Sequence, residues 1–354
     1  MRSARIHTGL LLVACIATSS CTEPTANSDT AAPDEPEVRI SATGAWSYRT
    51  PMPTARFWLA AAAVSNPSGQ PIVYAIGGHD GGLQPLRRVE AYNYATNSWT
   101  RRSDLPFAGA GSGSSGAASI GGKIYVPGGN PDRRRLYVYD PPTNTWRTKA
   151  PMPIPVGRGM SAAIGDQLYV FTGSAVPYED SARGRRLYRY DPSANIWTRR
   201  ADSPDYHADG IAAAIGGKLY LMGGYDESRI NGEEEYLVPS LVVSVYDPAT
   251  NTWTTRPGGS QGDACSAGAA FQSKLWDLGG NPFAPDLDIT ADVSAYDPKT
   301  GTLTRKASML TARCGSAAVR VVYRDVARLL VIGGFRTEGA NTFAALRTVE
   351  RYAP

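Results

Sequence analysis

The chain has 354 residues, and its 36 basic and 32 acidic side chains give a formal net charge of +4 at pH 7. This small excess implies no strong electrostatic field and argues against nucleic acid as a partner. The 37 glycines, 26 prolines and alternating apolar and polar runs favour short strands joined by turns over helices. The length fits two domains or one large all-β domain.

The N-terminal residues differ in character from the rest of the chain. Arg2 and Arg5 precede the apolar run GLLLVACIAT, which is too short to span a bilayer and is typical of an export signal. The segment also resembles a bacterial lipoprotein signal, which implies that a cysteine after small residues becomes the lipidated N-terminus. Cys21 in TSSC has the better signal length, Cys15 in LVAC has the more usual residue three places upstream, and secretion without a lipid is the third alternative. We expect residues 1–20 to be the signal and Cys21 to carry the lipid.

Residues 21–44 have the composition of a tether. The stretch TEPTANSDTAAPDEPEVRISATG from Thr22 is rich in Pro, Ala, Thr and acidic residues and has almost no large apolar side chain. It cannot bury enough apolar surface to fold, so we expect a disordered linker that spans roughly 25 to 30 Å. Together these segments predict a protein exported to the periplasm or the surface of a bacterial cell. Its contact with the membrane would be the N-terminal lipid alone.

The remainder, residues 45–354, repeats one pattern. Tryptophans at positions 46, 99, 146, 197 and 253, followed by Leu303, set a period near 50 residues. Each unit has a small-residue run, a hairpin turn, an aromatic strand ending in Gly-Gly, a long loop, a strand ending in Tyr-Asp-Pro, and Asn-x-Trp. The clearest copy is GAASIGGKIYVPGGNPDRRRLYVYDPPTNTW, residues 116–146. A repeat of this length is typical of a propeller.

In these elements and their order the chain resembles the kelch-repeat family. The resemblance implies an all-β fold, a six-bladed β-propeller with four antiparallel strands in each blade. Strand A would be innermost, strand B would end in Gly-Gly, strand C would end in Tyr-Asp, and the outer strand D would start at the tryptophan. Most aromatic residues of the repeat are then expected to pack between blades.

The last repeat is incomplete. It ends at VERYAP, residues 349–354, before any tryptophan, whereas Trp46 precedes the first strand A. We therefore expect the N-terminal strand around Trp46 to supply strand D of blade six, which closes the ring and leaves no blade unpaired.

The loops between strands D and A and between B and C emerge on one face of such a propeller, and we expect the ligand there. The B to C loops of blades two and three are rich in arginine, whereas those of blades four and five are rich in Asp and Glu. The candidate binding residues on this loop face are Arg56, Trp58, Arg158, Tyr178, His207, Tyr225, Glu227, Arg229, Arg313 and Phe335.

Three of these residues, Arg56, Arg158 and Arg313, are assigned to matching places just before strand A. Their guanidinium groups are suited to a carboxylate or phosphate at the channel mouth. The same arginine also fits a repeat position that serves local backbone hydrogen bonds. The residues alone leave both interpretations open.

Metal and cofactor chemistry have little support. After the export signal only His79 and His207 remain, so no two-histidine spacing for zinc or copper exists, and no cofactor is predicted. Asp205, His207 and Asp209 form the best local acid and base cluster, with a hydrogen-bonded structural histidine as the alternative.

Cys265 and Cys314 are assigned to matching places in blades five and six. An even pair in an exported protein suggests a disulfide. Inner strands on a ring about 8 Å in radius would, however, stand about 8 Å apart, beyond the roughly 7 Å that a disulfide spans. A disulfide and two buried thiols both stay open.

The first functional hypothesis is a binding module without catalytic activity that recognises a protein or a glycan on its loop face. The alternative is a sugar-modifying enzyme, because exported bacterial kelch propellers include sialic-acid mutarotases. Glu227, Arg229 and His207 are the candidate residues for that activity, although they match no family motif. No catalytic residue is assigned.

Overall fold

The computed structural model describes residues 44–107, 116–129, 133–173, 184–226, 238–258, 264–281, 288–339 and 342–354. The predicted export signal, most of the tether and Cys21 lie outside them. In chain order the first strands are β1 (Ala45–Arg49), β2 (Ala60–Ser65), β3 (Pro71–Ile76), β4 (Val89–Asn93), β5 (Ser98–Arg101), β6 (Ala118–Ile120), β7 (Lys123–Pro127), β8 (Leu136–Asp140), β9 (Thr145–Lys149), β10 (Met160–Ile164), β11 (Gln167–Phe171), β12 (Leu187–Asp191) and β13 (Ile196–Arg199).

The remaining strands of the described chain are β14 (Ile211–Ile215), β15 (Lys218–Met222), β16 (Tyr225–Asp226), β17 (Val238–Pro239), β18 (Val242–Asp247), β19 (Thr252–Pro257), β20 (Ala267–Phe271), β21 (Lys274–Leu278), β22 (Val293–Asp297), β23 (Thr302–Arg305), β24 (Ala317–Tyr323), β25 (Val326–Ile332), β26 (Phe335–Gly339), β27 (Thr342–Ala345) and β28 (Val349–Ala353).

Within these residues the strands form six antiparallel four-stranded sheets, which are the blades. Their strand orders from A to D are β2-β3-β4-β5, β6-β7-β8-β9, β10-β11-β12-β13, β14-β15-β18-β19, β20-β21-β22-β23 and β24-β25-β28-β1. The pairs β16-β17 and β26-β27 are small sheets in the B to C loops of blades four and six. The six-bladed propeller is confirmed.

The strand sequences explain the position of each strand in its blade. All six residues of β3 are buried, because a B strand packs against a neighbouring blade on each side. The inner strand β14 is IAAAI, since six A strands crowd around one axis and only small side chains fit. Gly121 and Gly122 join β6 to β7 with φ of 54° and 74°, the conformation that a two-residue hairpin turn requires.

The N-terminal strand closes the ring as predicted. In β1, Ala45 pairs with Ala353 of β28, and Trp46 pairs with Tyr352. The Trp46 indole Nε1 also donates to the carbonyl oxygen of Ala307 in blade five at 2.8 Å. Blade six is thus held together by both ends of the described chain.

Successive blades are joined by a repeated contact that we call the clasp. In blade two, Asn144 Oδ1 accepts the N–H of Ser103 at 2.9 Å and the Tyr139 hydroxyl at 2.6 Å. Trp146 Nε1 donates to the carbonyl oxygen of Ser103 at 2.9 Å. One residue of the preceding blade therefore has its N–H and its C=O bound by the next blade. The same contacts join Asn97 and Trp99 to Thr50, Asn195 and Trp197 to Ala150, and Asn251 and Trp253 to Ala201.

The boundary between blades four and five has no clasp. Blade five has Gly301 and Leu303 where blades one to four have Asn and Trp, and the blade-four residue at the clasped position is Pro257, which has no N–H. Blade six has Gly44 in place of the Asn and keeps only the tryptophan bond, from Trp46 to Ala307. The Tyr296 hydroxyl is buried without a hydrogen-bond partner in the described residues. Arg256 Nη1 instead donates to the carbonyl oxygen of Pro298 at 2.8 Å.

Blades five and six are linked covalently by a disulfide between Cys265 and Cys314, whose Cα atoms lie 5.3 Å apart. The expectation of about 8 Å is wrong for this pair, because the two cysteines do not occupy matching places. Ala264 bridges to Asn281, and Cys314 bridges to Phe335, so Cys314 corresponds to Ala264. Cys265 is one residue further along and lies before β20 rather than within it. The offset brings the two side chains into bonding range.

The clasp predicts a matched pair of stability changes. Asn144→Gly keeps the left-handed backbone, which has φ of 53°, but leaves the Tyr139 hydroxyl and the Ser103 N–H without their acceptor. We expect the free energy of unfolding to fall by about 1 to 3 kcal/mol. Gly301→Asn, at φ of 72° beside the unpartnered Tyr296 hydroxyl, should be neutral or stabilising. Urea denaturation measures both, and an unchanged midpoint for Asn144→Gly would contradict the role of the clasp.

The disulfide closes a loop with a sequence separation of 49 residues. Chain entropy predicts that Cys265→Ala with Cys314→Ala lowers the free energy of unfolding by about 4 kcal/mol. Thermal denaturation with and without reductant tests this, since reductant should destabilise the wild type and leave the double variant unchanged. Two free thiols counted in the denatured, non-reduced protein would show that no disulfide forms.

Candidate functional site

Within the described residues, a series of four backbone hydrogen bonds follows the channel mouth on the loop face through five of the six blades. Its members lie just before strand A of their blades and have left-handed backbone: Trp58, Arg158, Asp209, Cys265 and Gly315, with φ from 47° to 65°. The N–H of Asp209 donates to the carbonyl oxygen of Arg158, and the series continues through Cys265 and Gly315 to Trp58 at distances of 2.6 to 3.1 Å. We call these five residues the collar.

Three collar residues, Trp58, Cys265 and Gly315, line a central cavity of about 170 Å³. Its other lining residues lie in or next to the inner strands and include small residues such as Ala61, Ser161, Ala212, Gly268 and Ala318 as well as the larger Leu59, Met160 and Ile211. The narrow channel follows from the packing of six strands around one axis.

The D to A and B to C loops are hydrogen-bonded to each other, which places them together on this face. Phe57 and His79 exchange backbone hydrogen bonds of 3.0 and 2.9 Å. The corresponding bridges join Ala208 to Tyr225 and Cys314 to Phe335. The predicted loop face is therefore a continuous surface in the described residues of these blades.

An aromatic cluster covers the loop face over blades six and one. The Trp58 ring lies 5.1 Å from Phe57, 5.9 Å from His79 and 6.2 Å from Phe335, measured between ring centroids, and each contact is edge to face. Phe343 packs against Phe57 and Phe335. Phe335 is only 3% exposed, so it supports the cluster from below, whereas Trp58 is partly exposed at the mouth.

Across the collar, Arg158 and Asp209 form an ion pair. Arg158 Nε lies 3.4 Å from Asp209 Oδ2, and their side chains are 24% and 18% exposed. The pair places a cation and an anion together at the mouth, so this part of the site carries little net charge.

Arg56 and Arg313 do not reach the mouth. Both side chains are completely buried and are paired with glutamates of strand C in their own blades, Arg56 with Glu90 at 2.6 Å and Arg313 with Glu350. Burial lowers the pKa of Arg56 to about 10, and Glu90 opposes that shift. These ion pairs, together with bonds to backbone carbonyl groups, make both arginines structural.

The predicted alignment of Arg158 with these two arginines is wrong. Counted from Met52, Met152 and Met309, the matching residues four places on are Arg56, Val156 and Arg313. Arg158 is two places further, which is why it lies in the collar. The spacing of four residues after a buried methionine is the sequence signal that distinguishes the structural arginines, Arg56 and Arg313, from Arg158 at the mouth.

In blade four, His207 occupies the buried position that Arg56 occupies in blade one and Arg313 in blade six. Its Nε2 lies 2.9 Å from Ser244 Oγ, which replaces the glutamate, and its Nδ1 donates to the carbonyl oxygen of Gly223 at 3.0 Å. Ser244 in turn donates to Asp205 Oδ2 at 2.9 Å. His207 is fully buried, and desolvation lowers the pKa of its imidazole. It is a structural histidine without access to a ligand in this structure.

Of the other predicted residues, one lies in the core and three lie outside the described residues. Tyr225 is 8% exposed and pairs through its backbone with Ala208. Tyr178, Glu227 and Arg229 lie outside the described residues. Sequence reasoning missed Asp209 as the partner of Arg158, and it missed His79 and Phe343 in the aromatic cluster. Left-handed backbone at the collar brings Arg158 and Asp209 together, and neither residue type predicts that conformation from the sequence as a glycine would.

Some arginines of the loops that were predicted to form a basic surface make contacts within the protein instead. Arg134 Nε donates to the carbonyl oxygen of Met152 at 2.8 Å, and Arg185 donates to Ser203 and packs over the ring of Tyr206. Among the residues that the structure describes, no group of three His, Cys, Asp or Glu side chains is arranged to hold a metal ion. No helix in that part of the chain is long and apolar enough to cross a membrane.

Comparison with known proteins identifies the kelch repeat in this sequence. The family model "KLHDC2/KLHL20/DRC7 Kelch-repeats domain" matches residues 113–334, and the "Kelch motif" model matches residues 64–106. Kelch-like protein 25 of Xenopus tropicalis is 30% identical over 59% of this chain and 34% of its own length. Kelch-like protein 35 of Mus musculus is 25% identical over 77% of this chain and 43% of its own length. The chain thus covers less than half of either relative.

A solved structure shows the same fold. The chain titled "Structure of YjhT" superposes with a TM-score of 0.63 at 16% sequence identity, covering 85% of this chain and 95% of that one.

The buried histidine predicts a pH dependence of stability. The folded pKa of His207 lies below its unfolded value of about 6.5, so the unfolded chain takes up a proton that the folded chain does not. Stability should therefore decline as the pH falls below about 6.5, by up to about 1.4 kcal/mol per pH unit. His207→Gln should flatten this decline more than His79→Gln, which removes a histidine with a lowered pKa but partial exposure. Thermal denaturation between pH 5 and 8 measures how the stability of each protein changes with pH. The same pH dependence in the wild type and both variants would contradict the prediction.

Proposed function

This chain belongs to the kelch-repeat family of β-propellers, and from that premise we propose that it is a binding module without catalytic activity. Its ligand, a protein or a glycan, docks on the loop face over the channel mouth. Kelch propellers are interaction modules, and the chain provides a rigid ring of blades with its variable loops gathered on one side.

The observation that carries this proposal is the collar. Trp58, Arg158 and Asp209 have left-handed backbone although none of them is glycine, and their side chains are partly exposed. Trp58 lines the cavity, and Arg158 and Asp209 lie beside it in the collar. Such conformations persist in proteins where the surrounding structure holds them, and they concentrate at functional sites. The surface they form combines an aromatic ring, a cation and an anion.

We also propose that the protein is exported and held by a lipid on Cys21. The route of the chain supports a functional orientation for such an anchor. Ala45 pairs with Ala353 at the end of strand C that leads away from the loops, so the chain enters blade six from the face opposite the collar. A tether attached there would present the loop face away from the membrane.

The sugar-modifying alternative has no comparable support. His207, one of its candidate residues, is fully buried, and Glu227 and Arg229 lie outside the described residues. We therefore favour the binding module.

Selection from peptide and glycan libraries tests the proposal. Peptides selected on the wild-type protein should bind Arg158→Ala at least tenfold more weakly, a change of about 1.4 kcal/mol. Lys299→Ala removes an exposed cation from the turn on the opposite face and should leave binding unchanged. Thermal denaturation verifies that both variants fold. Ligands that respond to Lys299 and not to Arg158 would place the binding surface on the opposite face.

A further inference from the structure

Trp58 differs from every other tryptophan of the chain. All seven are described, and six donate their indole N–H to a backbone carbonyl group: Trp46, Trp99, Trp146, Trp197, Trp253 and Trp276. Trp58 Nε1 has no hydrogen-bond partner among the described residues. Its N–H is therefore left for water or a ligand, at the entrance to the cavity.

The backbone holds this ring in a fixed position. Trp58 has φ of 48°, which is unusual for a bulky side chain, and its N–H donates to the carbonyl oxygen of Gly315 at 2.6 Å. A Cβ added to Gly315 would lie 2.8 Å from Trp58 Cδ1, so the neighbouring blade leaves room for the indole. With edge contacts from Phe57, His79 and Phe335, the ring is oriented before any ligand arrives.

Hydroxyl groups without partners line the same cavity. The Oγ atoms of Ser161, Ser266 and Ser316 are buried and have no hydrogen-bond partner among the described residues. A serine hydroxyl both donates and accepts, so these groups match a ligand that carries several hydroxyl groups of its own. Buried polar groups left unpaired cost stability, and a polar ligand or ordered water relieves that cost.

The charges at the mouth do not favour an ionic ligand. Arg158 is paired with Asp209, and the two side chains are exposed to a similar extent. A carboxylate that approached Arg158 would meet Asp209 beside it, and a cation would meet Arg158. An uncharged polar group avoids both repulsions.

We propose that the mouth binds a neutral terminal sugar of a glycan, with one ring seated on the Trp58 indole. This inference rests on the proposed binding function and specifies its ligand class. The apolar C–H groups of a sugar ring contact the indole, one sugar oxygen accepts the Trp58 N–H, and other sugar hydroxyl groups pair with Ser266 and Ser316. The cavity of about 170 Å³ admits a single ring and excludes folded elements of a partner protein.

Methyl glycosides of glucose, galactose, mannose and N-acetylglucosamine serve as probes. In a proton–nitrogen correlation spectrum the Trp58 indole signal is identified by its loss in Trp58→Phe. At least one neutral glycoside should shift this signal in a saturable way. Sorbitol, which has no ring, and the methyl glucuronide, which has a carboxylate, should shift it much less.

Variants separate the contributions to binding. Trp58→Gly fits the left-handed backbone, as Gly315 does in blade six, so it should fold and lose affinity at least tenfold. Trp58→Phe keeps a ring without the N–H and should lose less. Ser266→Ala and Ser316→Ala should each weaken binding several-fold, whereas Ser119→Ala, at an exposed serine of β6, should not.

The outcomes distinguish this inference from the binding function on which it rests. If none of the neutral glycosides shifts the Trp58 signal while selected peptides bind and depend on Arg158, the sugar assignment is wrong and the binding module stands. If selected ligands of every kind are insensitive to Arg158 and Trp58, both fail. A neutral glycoside that binds equally well to Trp58→Gly would also overturn the assignment.

Discussion

The propeller depends on the clasp, in which one blade binds the N–H and the C=O of a single residue in the preceding blade. In blade two this contact uses Asn144 and Trp146, with the Tyr139 hydroxyl bonded to the same asparagine. At four boundaries it satisfies backbone groups where the chain passes between blades and places a tryptophan ring in the gap. Because each blade is held in a fixed position relative to the next, the six inner strands together line one narrow channel.

The site follows from this regularity. The collar position, Trp58, Asp209 or Gly315, lies two places after the buried pair position, Arg56, His207 or Arg313. The first position faces the inside of its own blade and needs a hydrogen-bonding partner there. The second has left-handed backbone and surrounds the mouth. One repeat thus provides a structural position and, two places further along, a position at the channel mouth whose residue type differs from blade to blade.

The missing clasp and the disulfide distribute stability unevenly around the ring. Blades four and five lack the paired hydrogen bonds found at four other boundaries and are joined there by the bond from Arg256 to Pro298. Blades five and six are linked covalently through Cys265 and Cys314. Cys265 belongs to the collar, so the disulfide also fixes one side of the mouth. Rigidity there lowers the conformational entropy lost on binding.

The repeat of tryptophans and glycines by itself determined the all-β fold, the number of blades and the closure by the strand at Trp46, because each blade is built from the same four strands and turns and needs similar residues at the same places. It also marked the loop face. Only the tertiary structure decided which arginine lies at the mouth, that Cys265 and Cys314 meet, and that the Trp58 indole N–H has no partner among the described residues. These features depend on offsets of one or two residues and on backbone of positive φ, and such small displacements become visible only when neighbouring blades are packed together.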